Sequence, residues 1–366
     1  MVAPQELLGL VDKAQEEIIE LERSLVRIPT INTGFMPTGN ETELCHFLKD
    51  RLAAEGIEAE ILESAPGRGN LIARLPGASG TPRLLYMSHS DVVPIEDESQ
   101  WRFPPFSAEV AEGRIWGRGA SDCKALTTAQ TMALILLKRA GVRLQGDLIL
   151  AVGADEESGG RYGFGWLAQN APDKIRADYA INEGGGTPIK TERGLAYFLA
   201  VGEKGRLEPH ITIGGKSWHA SQPWRGQNAL YTAAEVLRRL QSYEPQRDVS
   251  AELFRHLHLF GVDEEPTPEN IDRIADEVSK RDVSQGSFLR AASRMTLTPT
   301  MVQAGIKSNN VPGSAVSPAT CVRFPTKTKL MSGGSWSGCW RASPTWSSIS
   351  TTRRYPTPHS TTRRFS

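Results

Sequence analysis

The sequence predicts an α/β protein, a layered domain with a central, mostly parallel sheet flanked by helices, followed by a smaller α+β unit. Two observations carry this. Up to about residue 190, short apolar runs bounded by Gly and Pro alternate with amphipathic helical stretches. From Gly194 onward the texture changes: strand-like runs surround one helix and a polar, charge-dense stretch over 243–285.

The elements follow in order. Leu7, Leu10, Val11, Ala14, Ile18, Leu21 and Leu25 recur at helical steps and predict a helix from Pro4 to Val26. A second helix is expected from Glu41 to Glu55, ended by Gly56. Ile57 to Leu62, Asn70 to Leu75 and Leu84 to Met87 read as strands. Ala125 to Ala140 reads as a helix with Leu126, Ala129, Met132, Ala133, Leu136 and Leu137 on one face. Asp147 to Val152 and Tyr179 to Ile181 are again strands. In the second unit, Leu195 to Val201, Pro209 to Ile213 and Leu297 to Gln303 read as strands, and Asn228 to Leu240 as a helix. Three segments result: 1–193, 194–318 and a tail, 319–366.

Composition narrows the function. The chain has 366 residues, 42 basic and 42 acidic. No apolar run approaches the ~18 residues a membrane helix needs. The N-terminus lacks a basic segment followed by an apolar stretch, which reads as no signal peptide. Cys45, Cys123, Cys321 and Cys339 are too few and too scattered for a disulfide framework. The expectation is a soluble, cytoplasmic protein, neither a membrane protein nor a strongly basic nucleic-acid binder. The balance of charge is uneven, however. The first 282 residues hold 31 basic against 42 acidic side chains, whereas the last 84 hold eleven basic and none acidic. The final 36 residues carry fifteen Ser or Thr and three Trp without apolar periodicity. Three Trp are foreign to an ordinary disordered tail. The segment fits a reading frame lost near residues 316–326 better than a functional basic arm.

The candidate chemistry gathers at strand ends. His89 and Asp91 follow the run Leu84–Ser88. Asp155, Glu156 and Glu157 follow Leu148–Val152, and Glu183 follows Tyr179–Ile181. Asp122 opens the long helix after a Gly-rich turn. In an open α/β sheet such positions lie outside the carboxyl ends of the strands and face one cleft. Taken singly, each has an ordinary reading: Asp122 as a helix N-cap, Glu156-Glu157 as a solvated loop, Glu183 as a turn residue. Taken together they form a cluster of acids around one imidazole. Such a cluster is costly unless a cation neutralises it. One imidazole with several carboxylates suits Zn²⁺, with Co²⁺ or Mn²⁺ also compatible. So many acids suit two ions better than one. Asp91, two residues beyond His89, can hold the imidazole in the ligating tautomer.

Five ordered motifs then carry a resemblance: SHSDVVP (88–94), WRFPPFS (101–107), GRGASDCK (117–124), GADEESGG (153–160) and NEGGG (182–186). Over about residues 15–315 the chain resembles the zinc-dependent amidohydrolases and exopeptidases of peptidase clan MH. These include aminoacylases, acetylornithine deacetylase, succinyl-diaminopimelate desuccinylase and carboxypeptidases G and S. The resemblance implies two Zn²⁺ ions, held by His89, Asp122, Glu157 and Glu183, with Asp122 bridging. It implies that Asp91 orients His89, that Glu156 is the general base, and that the Asp122–Cys123 peptide is cis. It further implies that the second unit is a ferredoxin-like lid and dimerisation domain, through GEKG (202–205) and GGKSWHASQP (214–223). His219 then reaches the partner's active site in a homodimer and stabilises the oxyanion.

The chain departs from the pattern in two places. Ser88 stands where the family usually has Gly. The histidine that completes the second zinc site has no counterpart, since only His359 lies beyond the lid and YPTPHSTTRR does not resemble the ligand segment. The closing elements of the catalytic domain are missing with it. The expected activity is hydrolysis of an amide or peptide bond in N-acyl amino acids or short peptides. The competing expectation is an impaired remnant that acts as a dimerising or binding module.

Overall fold

A computed structural model describes residues 4–184, 186, 188–191, 194–197, 204–323 and 349–352. The chain divides into two compact units, Met1–Glu183 and Gly184–Ser366.

The first unit is a three-layer α/β structure. In chain order it comprises α1 (Pro4–Lys13), α2 (Gln15–Arg27), α3 (Glu41–Ala53), β1 (Ala59–Glu63), β2 (Gly69–Leu75), β3 (Gly80–His89), β4 (Glu109–Ala111), β5 (Arg114–Trp116), α4 (Ala125–Arg139), β6 (Gly146–Gly153), α5 (Phe164–Asn170), α6 (Pro172–Ile175) and β7 (Tyr179–Ile181). The sheet order is β1-β2-β6-β3-β7. β3 runs parallel to both β6 and β7, while β1–β2 and β2–β6 are antiparallel. β4 and β5 form a separate hairpin. The apolar run of β6 explains its place inside the sheet, because a strand covered on both faces needs no polar side. Leu148, Leu150 and Val152 join the core beneath α2, α3 and α4, with Leu25, Leu48, Leu71 and Leu134. Ile149 and Ala151 face the opposite way, toward Ile72, Leu85 and Leu167 of α5.

The expected first helix is two. Ala14 has ψ of 9°, yet Ala14 N still donates to Leu10 O and Ile18 N to Ala14 O, so the axis changes without a loop. β3 begins four residues earlier than expected, because Gly80–Arg83 carries no apolar signal although its backbone lies in the strand.

Two arginines tie the helical layer together. Arg139 on α4 bonds both Glu17 of α2 and Glu55, just beyond α3, at 2.7–3.0 Å, and Arg51 bonds Glu55 at 2.8 Å. The hydrogen bond from Arg139, aided by Arg51, holds the Glu55 carboxyl down at about 2. An unfolded Glu titrates near ~4.3. The stabilisation is therefore complete above about pH 5 and drains away as pH falls toward the folded value. Glu55→Gln is expected to cost about 1 kcal/mol at pH 7, since Arg139 is partly solvated. Urea titrations should show that gap narrowing below about pH 5 and nearly gone at about pH 2; an equal gap at pH 7 and pH 2 would refute the assignment.

The second unit contains β8 (Pro188–Thr191), β9 (Gly194–Tyr197), β10 (Gly205–Gly214), β11 (Trp218–His219), α7 (Ala229–Gln241), α8 (Ile271–Arg281), α9 (Val283–Ala292), β12 (Thr296–Pro299), β13 (Gln303–Ala304), β14 (Asn310–Val311), β15 (Ser314–Arg323) and β16 (Ile349–Thr352). An antiparallel sheet, β12-β15-β10-β16, packs on α7 through Ile211, Ile213, Ala233, Val236 and Ala315. Phe254, Leu257, Ile274, Val278 and Leu289 form a second small core around α8 and α9. The run 297–303 is two strands: Thr300 N still donates to Pro318 O at 3.3 Å, but Pro318 has no N–H with which to return the bond. β15 continues to Arg323, into the segment read from sequence as a tail. The rest of that tail, His359 included, lies outside the described residues apart from β16.

Candidate metal centre

The site is built on the carboxyl ends of the three parallel strands. β3 ends at His89, β6 is followed by Glu156 and Glu157, and β7 by Glu183. The fourth contributor, Asp122, sits in the wide turn Ala120–Lys124 that leads into α4. Its backbone is extended (φ −120°, ψ 102°), and the Asp122–Cys123 peptide is cis. Gly119 opens that turn at φ +82°, and a Cβ there would sit 2.5 Å from Val92 Cγ1. Gly119→Ala is expected to destabilise the unit by about 1–3 kcal/mol, read as a lowered thermal midpoint; an unchanged midpoint would show that the turn relaxes freely.

The imidazole is the centre of the group. His89 is 2% exposed. Its Nδ1 faces the Asp91 carbonyl oxygen at 3.0 Å and Asp91 Oδ1 at 3.4 Å. Its Nε2 faces Asp122 Oδ1 at 3.0 Å, Glu183 Oε2 at 3.3 Å and Glu156 Oε2 at 3.9 Å. Ligand atoms of His89, Asp122, Cys123 and Glu183 all lie within 4.8 Å of one another. Cys123 Sγ also accepts the His89 N–H at 3.2 Å and donates to the His89 carbonyl at 3.3 Å.

Electrostatics mark a shortage of positive charge. Burial opposes a charged His89, yet the hydrogen bond to Asp91 and the contact with Cys123 outweigh it and push the imidazolium up to about 12. Burial raises the Glu156 carboxyl; His89 opposes this, and Glu183, Asp91 and Asp122 add to the rise. Burial and the Asp122 charge push Glu157 up to about 7. Asp91 is the exception. Burial would raise it, but hydrogen bonds from His89 and Asn32 and from the Glu156 backbone hold it ionised, below the ordinary range. Glu156 N and Glu157 N donate to its two oxygens at 3.0 and 3.1 Å, so Asp91 joins the histidine to the acid pair.

A donor set of one imidazole and clustered carboxylates, beside Glu156 and Glu157 whose carboxyls are driven toward protonation, fits a divalent cation held by His89, Asp122 and Glu183. Glu157 is not among the ligand atoms that gather within 4.8 Å of one another, although its carboxyl feels the Asp122 charge, and among the described residues that group holds no second imidazole. His219 belongs to the second unit. It is exposed, and its Nδ1 lies 2.7 Å from Ser221 Oγ.

Several residues take roles at the site that the sequence did not assign. Cys123 entered there only through its peptide bond to Asp122. Ser88, a departure from the expected Gly, accepts from Thr127 Oγ1 at 3.0 Å and fastens the strand end to α4. Asp155, grouped by sequence with the acids, is buried and turned toward Arg68 Nη2 at 3.1 Å. Lys124 is buried, donates to the Leu25 and Ile28 carbonyls at 2.9 and 2.7 Å, and is pushed down to about 7 by that burial.

An imidazole and carboxylates converging at the ends of parallel strands define an α/β protein with a candidate divalent-metal centre. The chain belongs to the Peptidase family M20/M25/M40, which it matches over residues 85–321, and is by family a hydrolase. It is 28% identical over 303 residues to a probable succinyl-diaminopimelate desuccinylase of Staphylococcus aureus strain Mu50, covering 82% of this chain and 67% of that protein. It is 30% identical over 223 residues to the succinyl-diaminopimelate desuccinylase of Beijerinckia indica, covering 59% of this chain and 54% of that one. It thus spans about two thirds or less of the length of these relatives. The fold is shared with an M20 family metallo-carboxypeptidase from Sulfolobus solfataricus (TM-score 0.60, 21% identity, 85% of this chain and 72% of that one). It is also shared with a di-peptidase from Saccharomyces cerevisiae (TM-score 0.64, 15% identity, 89% and 73%). No helix among the described residues is long and apolar enough to cross a membrane.

Proposed function

We propose that the chain carries the catalytic centre of a metal-dependent amide hydrolase acting on an N-acyl amino acid or short peptide. The convergence of Asp122, Glu183 and Glu156 on His89 Nε2 carries this reading. The relatives' names, desuccinylase, carboxypeptidase and di-peptidase, all describe cleavage of an amide bond. His89, Asp122 and Glu183 would hold one ion, and Asp122 with Glu157 a second, with Zn²⁺ the first choice for the donor set. Bound ions would polarise the scissile carbonyl and acidify a water. Glu156 takes a proton on its carboxylate and returns it to the leaving nitrogen. Asp91 holds His89 and orients its free nitrogen toward the carboxylates. His219, presented by a partner in a homodimer, supplies a donor to the developing oxyanion. The absence of a second imidazole from the described cluster favours an alternative in which only one ion binds tightly and turnover is weak. Metal analysis of the purified protein, with hydrolysis of a panel of N-acyl amino acids and dipeptides, tests both. One to two equivalents of zinc with turnover support the reading, one equivalent with feeble turnover supports the alternative, and no zinc overturns both.

A further inference from the structure

Beneath the metal centre lies a buried polar layer that the proposed chemistry does not use. Its middle is Asn32, 3% exposed, on the loop after α2. The side-chain amide is fully engaged. Nδ2 donates to Asp91 Oδ2 at 2.7 Å and to Asp155 Oδ1 at 3.1 Å. Oδ1 accepts from Gly34 N at 2.9 Å and Ser158 Oγ at 3.1 Å. The amide orientation is dictated by its neighbours, since reversing it would set an oxygen against two carboxylates. The main chain is pinned as well: Asn32 N donates to Val92 O at 2.8 Å and Val92 N to Thr30 O at 3.0 Å.

We propose that Asn32 is a positioning residue for the metal centre, the amide that locks the His89–Asp91 segment to the loop bearing Glu156 and Glu157. Three of its four side-chain bonds reach one segment or the other. Without it, Asp91 keeps the Glu156 and Glu157 amides but loses the donor that fixes its rotation against His89. Charge explains why the residue is an amide. Arg68, fully buried, is shared between Asp155 at 3.1 Å and Glu41 at 2.9 Å. A further carboxylate at position 32 would face Asp91 and Asp155, while Arg68 is already divided between two acids.

This inference rests on the proposed metal-dependent reaction, so its test reads the metal as well as turnover. Zinc affinity by chelator competition, the visible spectrum of the cobalt-loaded protein, and kcat and KM are compared for wild type, Asn32→Leu, Asn32→Asp and Asn32→Ser. Glu55→Gln serves as a variant destabilised far from the site. Asn32→Leu is expected to weaken zinc about 10–100-fold, alter the cobalt spectrum, and lower kcat more than KM changes. Asn32→Asp falls further. Asn32→Ser, whose hydroxyl reaches only one carboxylate, stays folded and falls between, and it decides the matter if the larger changes unfold the chain. A folded Asn32→Ser or Asn32→Leu with wild-type zinc affinity and kcat within twofold overturns the proposal, as does an equal loss of affinity in Glu55→Gln. A wild type that takes up no zinc overturns the functional reading and this inference with it.

Discussion

Glu156→Gln is expected to lower kcat by about 10²–10⁴-fold while leaving KM and zinc content near wild type. The position of the carboxylate argues for this split. At 3.9 Å from His89 Nε2 it is farther than Asp122 and Glu183, so the ion keeps its donors when Glu156 becomes an amide. Burial and the neighbouring acids raise its proton affinity. A base with a raised pKa holds a proton long enough to deliver it to a departing amine near neutral pH. Glutamine fills the same space without accepting a proton. Steady-state kinetics with zinc analysis on one preparation check the prediction. Retention of a tenth or more of the activity would remove Glu156 from the role.

His89→Ala is expected to abolish turnover and to weaken zinc by more than the about 10–100-fold typical when a supporting residue is lost. Alanine removes the one imidazole that the described residues bring to the group and leaves Asp122, Glu156 and Glu183 facing one another. Zinc stoichiometry after dialysis against a weak chelator gives the answer directly. A folded His89→Ala protein that retains its zinc would show that the carboxylates, or Cys123, suffice. The variant also removes a buried ring, so its fold is checked first by circular dichroism.

The strand ends were legible because two periodicities met there. An apolar run stops, acids or a histidine begin, and a parallel sheet turns equivalent sequence positions into neighbours. That logic places His89, Glu156 and Glu183 without coordinates, and Asp122 through its Gly-rich turn. It stays silent on residues whose meaning depends on a remote partner. Asn32 lies in a polar loop with no period, and only the pairing of Ile31 with Val92 brings it under Asp91. Arg68 reads as one more surface charge until the fold encloses it with Glu41 and Asp155. Ser88 stood out only as a departure, and its bond to Thr127 needs α4 docked on β3. Strand limits slipped for a simpler reason: β3 reaches back to Gly80 across a break in register before Leu84, where side chains give no pattern.

Lys124 lends itself to a chemical footprint. Its ammonium is spent on main-chain oxygens at the exit of α2, out of reach of solvent-borne acylating reagents. Pulse labelling of amines followed by peptide mapping would find this lysine silent for as long as α2 stays docked. Its first modification would time the moment at which that helix lets go of the turn bearing Asp122.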